Sequence, residues 1–151
     1  MKKKIGFEPF ESKNTNGRFL KIAYDMLESK AWNELNTYSM VLYFKFKKKF
    51  VRYNGTNNTN NISMPNSEYK AFMNQRTFEK AIDNLIEHGF IKVVEDRWHL
   101  RLCTIYGFST QWKFYDTDAF NITDKDRRRK RKMSVEHISN LKKNLDKLNS
   151  V

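Results

Sequence analysis

The sequence predicts an α+β domain in which a core of three helices carries a small antiparallel sheet. The first observation is an apolar stripe at helical spacing after Asn74, formed by Phe78, Ala81, Ile82, Leu85 and Ile86. The second is Gly89, which follows this stripe and suits the left-handed turn that commonly ends a helix. The third is two β-branched and aromatic runs, 90–95 and 98–105, which are separated by two residues and predict a hairpin.

The chain before this region predicts one long helix and several weaker elements. Residues 1–18 lack periodicity and predict a flexible arm, whereas 19–27 predict a short strand that enters a short helix. Asn36 or Thr37 can cap a helix that continues to about Arg52. Its predicted apolar face comprises Met40, Val41, Phe44 and Phe50. Its basic face, either solvated or in contact with phosphate, comprises Lys45, Lys47, Lys48, Lys49 and Arg52.

The connection to the central helix contains turn-forming residues. Residues 53–61 are rich in asparagine, whose side chain competes with the backbone for hydrogen bonds, and predict a mobile loop. Residues 62–64 predict a third strand beside the hairpin. Pro65 stands near the start of a helix over about 66–72. Only residues 73–75 separate this helix from the next, which is short enough for a helix-turn-helix.

After the hairpin, an aromatic segment at 110–115 predicts closure of the core, and the chain then changes character. Residues 116–132 predict a basic linker, because within its last eight residues, 125–132, seven cations stand against Asp126 alone. Residues 133–151 predict an amphipathic C-terminal helix, although two heptads are too few for an independent zipper. We therefore expect its apolar seam to dock on the domain or to support a homodimer or a partner protein, through Ile138, Leu141, Leu145 and Leu148.

Composition predicts one intracellular domain with an acidic partner. The chain has 151 residues, of which 39% are apolar and 30% are charged, so it can build one core but hardly a second. Its formal charge is +12. It contains neither a secretory leader pattern nor an apolar run that could span a bilayer, which predicts a cytoplasmic protein without a membrane partner. Cys103 is the only cysteine and excludes an internal disulfide.

The patterns that carry catalysis are missing from the sequence. The three histidines and Cys103 lack the short paired spacing that metal sites use, and the five glycines are scattered rather than gathered in a phosphate-binding loop. No serine or cysteine stands in a nucleophile elbow. We therefore expect no enzyme activity, no metal and no cofactor.

Several short runs resemble known DNA-binding proteins. The central helix and hairpin carry Arg76-Thr77-Phe78, Ala81-Ile82, Leu85 and Gly89-Phe90-Ile91, and the upstream part carries Ser29, Ala31-Trp32, Leu35 and Leu42-Tyr43. Over about residues 19–115 the chain resembles winged helix-turn-helix proteins of Gram-positive plasmids and phages. The resemblance implies an α+β winged-helix domain, in which the hairpin is the wing, followed here by the predicted C-terminal helix.

This interpretation selects three groups of candidate DNA-binding residues. The recognition helix would offer Asn74, Gln75, Arg76, Thr77, Lys80 and Asn84 to base edges and phosphates, against the repulsion of Glu79, Asp83 and Glu87. The wing would offer Lys92, Arg97 and Arg101, and would dominate if the acidic residues keep the helix out of the groove. The basic run would offer Arg127, Arg128, Arg129, Lys130, Arg131 and Lys132 to phosphates, unless it only solubilises the chain.

The expected function is sequence-specific binding of double-stranded DNA in plasmid or phage replication, DNA transfer or transcription control. The alternative is a winged-helix protein-interaction module within a replication or conjugation assembly. RNA binding is less favoured, because the strands carry no aromatic stacking platform.

Overall fold

The described residues of the computed structural model are 19–50, 52–53, 56–129 and 142–143. Within these ranges the protein is mixed α+β, with five α-helices and two antiparallel sheets of two strands each, which confirms the predicted class. The predicted arm at 1–18 lies outside the described residues. So do Lys130, Arg131 and Lys132, and the predicted seam residues Ile138, Leu141, Leu145 and Leu148.

Three helices form the first half of the domain: α1 (Tyr24–Glu28), α2 (Lys30–Asn33) and α3 (Thr37–Lys49). The strand predicted within 19–27 is wrong, because residues 19–23 have no regular secondary structure. Ser29 caps α2 by accepting a hydrogen bond from the backbone N–H of Trp32. Asn36 caps α3 in the same way, as predicted, by accepting from the N–H of Ser39 at 2.8 Å.

The buried face of α3 is not the predicted one. Ser39, Leu42, Tyr43 and Phe46 are buried, whereas Val41 and Phe44 are exposed. The face is set by the central helix α5 (Gln75–Glu87), which packs against α3. Because apolar residues surround α3 on several sides, the contact rather than the composition decides which of them are buried.

The asparagine-rich segment holds a short hairpin where a loop was predicted. Strand β1 (Arg52–Tyr53) pairs antiparallel with β2 (Thr56–Asn57). In place of the predicted third strand at 62–64, Ile62 forms an isolated antiparallel bridge with Tyr106. The two residues exchange N–H to carbonyl hydrogen bonds of 3.0 and 2.7 Å. This bridge ties the middle of the chain to the second sheet.

Helices α4 (Asn66–Tyr69) and α5 (Gln75–Glu87) follow, with α4 shorter than its prediction. The prediction for α5 is confirmed, including the capping of its first turn by Asn74, which accepts from the N–H of Thr77 at 2.8 Å. The five residues of the predicted stripe are all buried. Tyr69 stacks on Phe78, with ring centroids 4.0 Å apart and rings nearly parallel, so that α4 is fixed against the first turn of α5.

Gly89 ends α5 for two physical reasons. Its φ of 79° lies in the left-handed region that side chains rarely adopt. A Cβ at this position would also stand 2.5 Å from the backbone nitrogen of Trp112. Glycine is therefore required both by the conformation and by the space.

The predicted hairpin exists, but its second strand is displaced. Strand β3 (Ile91–Glu95) pairs antiparallel with β4 (Ile105–Phe108), with Val93 opposite Tyr106. The strand predicted at 98–105 is wrong, because residues 96–104, here named the hairpin loop, contain a 3-10 turn at Trp98–Leu100. Asp96 starts this turn by accepting from the N–H of Trp98 at 3.1 Å, and such local bonds compete with a strand ladder.

The core lies between α3, α5 and the β3–β4 sheet. Trp32 meets Tyr43 and Phe90 edge to face, each at a centroid distance of 5.6 Å. Trp112, in a 3-10 turn at Gln111–Phe114, stacks on Phe90 and confirms that the aromatic segment closes the core.

The described residues 116–129 stay packed on the domain. Ile122 packs against the core, and the carbonyl of Asp126 accepts a hydrogen bond of 2.9 Å from the N–H of Val93 in β3. The segment predicted as a linker, 116–132, is therefore joined to the domain over its described part, 116–129. The pattern of charges did not indicate this, because the contacts are made with residues about 30 to 45 positions earlier in the chain.

Candidate nucleic-acid interface

The first turn of α5 presents the residues expected to read DNA. Asn74, Gln75, Arg76 and Lys80 are exposed, and Thr77 is half-buried. The side-chain oxygen of Asn74 is used as the helix cap, so its amide N–H groups are what remain for another partner. The helix has 13 residues, and its positive end adds to the attraction that this turn exerts on an anion.

Arg76 in the first turn and Lys80 one turn later are the cations at this end of α5. Among the described residues neither forms an ion pair, whereas Gln75 donates to Glu79 Oε1 at 3.0 Å. Their charges therefore remain available to a phosphate or a base edge. To bind DNA, the side-chain amide of Gln75 has to give up its hydrogen bond to Glu79.

Asn84 has a different environment from the first-turn residues. Its Oδ1 accepts from the backbone N–H of Asn36 at 3.2 Å, and its Nδ2 lies 3.3 Å from Nδ1 of His88. The side chain therefore connects α5 to the start of α3. Helical spacing predicts an exposed position for Asn84, because spacing within one helix carries no information about contacts with another helix.

The acidic side of α5 is covered by two arginines from the basic run. Arg127 makes two hydrogen bonds to Glu87, Nε to Oε1 at 2.8 Å and Nη2 to Oε2 at 3.3 Å. Arg128 makes two to Asp83, at 3.1 and 2.9 Å, and its Nη1 lies 3.7 Å from Glu79. We name these five side chains the arginine clamp. The residues expected to repel phosphate are paired with residues expected to bind it.

The arginines of the clamp are held in their charged form. The hydrogen bond from Arg127 to Glu87, and then the charge of Glu87, raise the pKa of Arg127 above its ordinary value. Burial lowers the pKa of Arg128, but the hydrogen bond and the charge of Asp83 more than offset this, and the pKa is raised. Paired guanidinium and carboxylate groups in this two-bond geometry are stronger than a single point contact.

A small turn sets the position of the clamp. Asp126 Oδ2 accepts from both the N–H and the hydroxyl of Thr123, at 2.8 and 2.7 Å, and the N–H of Asp126 donates to the carbonyl of Thr123. The bond from Val93 to Asp126 then fixes this turn on β3. Arg127 and Arg128 follow directly and so lie over α5.

The cations of the hairpin differ from one another in exposure and in partners. Lys92 is half-buried and lies opposite Gly107 in the sheet. Arg97 Nε is buried, makes no hydrogen bond to a described residue, and lies 3.6 Å from Glu95 Oε1. Arg101 is exposed and adopts a left-handed φ of 56°. Arg129, beyond the clamp, is exposed and lies 3.9 Å from Asp96.

The hairpin loop carries a feature that the sequence reasoning missed. Trp98, Leu100 and Leu102 are 59%, 55% and 49% exposed. They were assigned to a strand, in which alternate residues would face the core. The alternation with His99 and Arg101 was visible in the sequence, but only the loop conformation shows that the apolar members are exposed.

Other kinds of site find little support in the described ranges. They contain no cluster of three His, Cys, Asp or Glu side chains that would hold a metal ion. Among the helices that the structure describes, none is both long and apolar enough to cross a membrane. Comparisons of the chain with protein-family models, curated proteins and solved structures found no match.

Proposed function

We propose that this protein is a winged helix-turn-helix protein that binds double-stranded DNA in a sequence-specific manner and has no catalytic activity. The order of α3, the Ile62 bridge, α4, α5 and the β3–β4 hairpin is compatible with this fold. In this interpretation α4 and α5 form the helix-turn-helix, α5 is the recognition helix, and the hairpin is the wing.

The observation that carries the proposal is the arginine clamp. Without it, Glu79, Asp83 and Glu87 would place three negative charges on α5 next to the DNA backbone. Two arginines reduce this to one net negative charge over the five side chains. The N-terminal end of α5, with Arg76 and Lys80 outside any described ion pair, then approaches the duplex without the main repulsion that its own helix would cause.

Base reading is assigned to the first turn of α5. Arg76 can donate two hydrogen bonds to a guanine, the amide of Gln75 suits adenine, and the amide N–H groups of Asn74 can donate to an acceptor on a base edge. Lys80, one turn later, suits a phosphate. A helix in the major groove offers mainly its N-terminal residues to the bases, which matches the exposure of these side chains.

The clamp also changes the role of the basic run. Arg127 and Arg128 pair with acidic side chains of α5. Fewer of the seven cations are therefore free to bind phosphates than the sequence suggests. For each phosphate that is left without a cation, the slope of log K against log salt becomes shallower by about 0.9. A role in plasmid or phage replication, DNA transfer or transcription control rests on the resemblance described above.

The first experiment selects duplexes from a random pool and measures the affinity of variants for the selected site. Arg76→Ala should weaken binding to the preferred site by about 1–3 kcal/mol and binding to random duplex much less. Lys113→Ala is the matched control, since this exposed lysine lies beside Trp112 and thus at the opposite end of α5. Absence of any selected duplex would leave the protein-interaction module as the better interpretation.

The second experiment separates charge neutralisation from direct contact. Arg128→Ala should weaken duplex binding, because Asp83 and Glu79 are then left without their partner. Adding Asp83→Asn should restore most of the affinity. If the double variant binds as weakly as Arg128→Ala, Arg128 contacts the DNA itself and the clamp is not what permits the approach of α5.

A further inference from the structure

Three large apolar side chains of the hairpin loop are exposed within five residues of the chain. Trp98, Leu100 and Leu102 are each about half exposed or more, and Val94 at the end of β3 is 45% exposed. Single exposed apolar residues are ordinary, but several on one short loop suit a contact surface.

The loop is ordered by its own hydrogen bonds. The N–H groups of Leu100 and Leu102 donate to the carbonyl of Arg97, at 3.0 and 3.3 Å, and the N–H of Arg101 donates to that of Trp98 at 2.9 Å. A segment that already has a compact conformation loses less entropy when it binds. Both leucines are therefore presented by a turn that does not have to form first.

Polar side chains alternate with these apolar ones. Exposed Arg101, a cation, separates Leu100 from Leu102, and exposed His99 precedes Leu100. Arg101 keeps its left-handed φ although it has a side chain, a conformation that glycine or asparagine adopts more easily. Apolar tips on both sides of a cation suit a partner with an anionic exterior and an apolar interior, as in stacked bases between phosphates.

The hairpin loop starts beside the arginines that cover α5. Arg128 Nη1 lies 3.7 Å from Glu79 Oε2 in α5, and Nε of Arg129, the next residue, lies 3.9 Å from Asp96 Oδ2 at the start of the loop. The loop therefore begins close to the turn of α5 that carries Glu79 and Lys80. A duplex in contact with Arg76 and Lys80 would pass near the loop.

Building on the proposed function, we infer that Leu100 and Leu102 form a wedge that enters the minor groove at one base step and bends the duplex. Apolar side chains inserted in this way partly unstack a step and kink DNA. Steps of the pyrimidine–purine type deform most easily. The preferred site should therefore contain a TA or CA/TG step under the loop, a preference that involves no hydrogen bond to a base.

The test measures bending by energy transfer between dyes at the two ends of a duplex that carries the selected site. The full chain should bring the ends closer. The double variant Leu100→Ala and Leu102→Ala should bind about tenfold more weakly, which is about 1.4 kcal/mol, and leave the bound duplex straight. Leu20→Ala, at an exposed leucine outside the loop, should behave as the parent.

The outcomes separate the wedge from the proposed function. Arg76→Ala at saturating concentration should still bend the duplex, and an A-tract in place of the flexible step should reduce affinity for the parent but not for the double leucine variant. A parent that binds without bending, or a double variant that bends as the parent does, overturns the wedge alone. Leucine-dependent binding to phosphatidylglycerol vesicles without duplex binding overturns both.

Discussion

Helices α3 and α5 have the same length and the same kind of start, but the sequence reveals the buried face of only one. Both have 13 residues and both begin after an asparagine cap. In α5 the apolar residues occupy one stripe, and all five are buried. In α3 they surround the helix, so that Tyr38 is 56% exposed while Phe46 is 1% exposed. A stripe predicts a face only when the other sides are polar.

The contact between α3 and α5 explains which face of α3 is buried. Ser39 is completely buried, and its hydroxyl donates to Asn36 Oδ1 at 2.9 Å and contacts the carbonyl of Ala81 at 3.3 Å. Small side chains at this point let the helices approach closely. The polar residue therefore marks the buried side of α3 better than its aromatic residues do.

The largest expected effect on stability tests which face of α3 is buried. Phe46→Ala removes a fully buried ring and should lower the free energy of unfolding by about 3–5 kcal/mol. Phe44→Ala removes a ring that is 36% exposed and should cost clearly less. Urea denaturation of both variants measures the difference. Equal losses would mean that the face predicted from composition contributes as much as the observed one.

The next largest effect concerns Tyr43, a titratable residue on the buried face of α3. Burial raises the pKa of Tyr43 to about 12, above its ordinary value near 10, and the stripe of α5 contains no ionisable side chain. Between pH 10 and 12 the unfolded chain loses this proton first, so stability should fall as pH rises. The full loss is about 2–3 kcal/mol for this one group.

Tyr43→Phe isolates that contribution. Its free energy of unfolding, followed by urea denaturation from pH 9 to 11.5, should decline less steeply than that of the parent. Some decline should remain, because burial also raises the pKa of Tyr106 to about 12. Identical slopes for parent and variant would exclude Tyr43 as a source of the alkaline loss.

The smallest expected effect is the loss of stability when one of the two helix caps is removed. Asn74→Ala removes one acceptor, for the N–H of Thr77, and should cost about 1 kcal/mol. Asn36→Ala removes the acceptor for both the N–H and the buried hydroxyl of Ser39, so it should cost more, up to ~2 kcal/mol. Thermal unfolding with matched Asp variants at both positions provides the control, since Asp keeps the cap. A larger loss at Asn74 would contradict this order.

Local patterns in the sequence predicted α5, its cap, Gly89 and β3, because each depends on residues within a few positions. The hairpin loop was missed because Asp96 and the left-handed Arg101 interrupt a run that composition alone assigns to a strand. The clamp was missed for a different reason. Its ion pairs join residues 40 to 49 positions apart, and spacing in the chain carries no signal for such pairs.

The bond between Val93 and Asp126 has a consequence for how the protein behaves in concentrated solution. A two-stranded sheet has two open edges, and each can recruit a strand from another molecule. Here Ile62 bonds to β4 and Asp126 bonds to β3, so each edge is partly occupied from within the chain. A chain shortened to residue 115 would uncover the β3 edge beside exposed Val94. Such a fragment should associate edge to edge and aggregate, although it would keep the whole helical core.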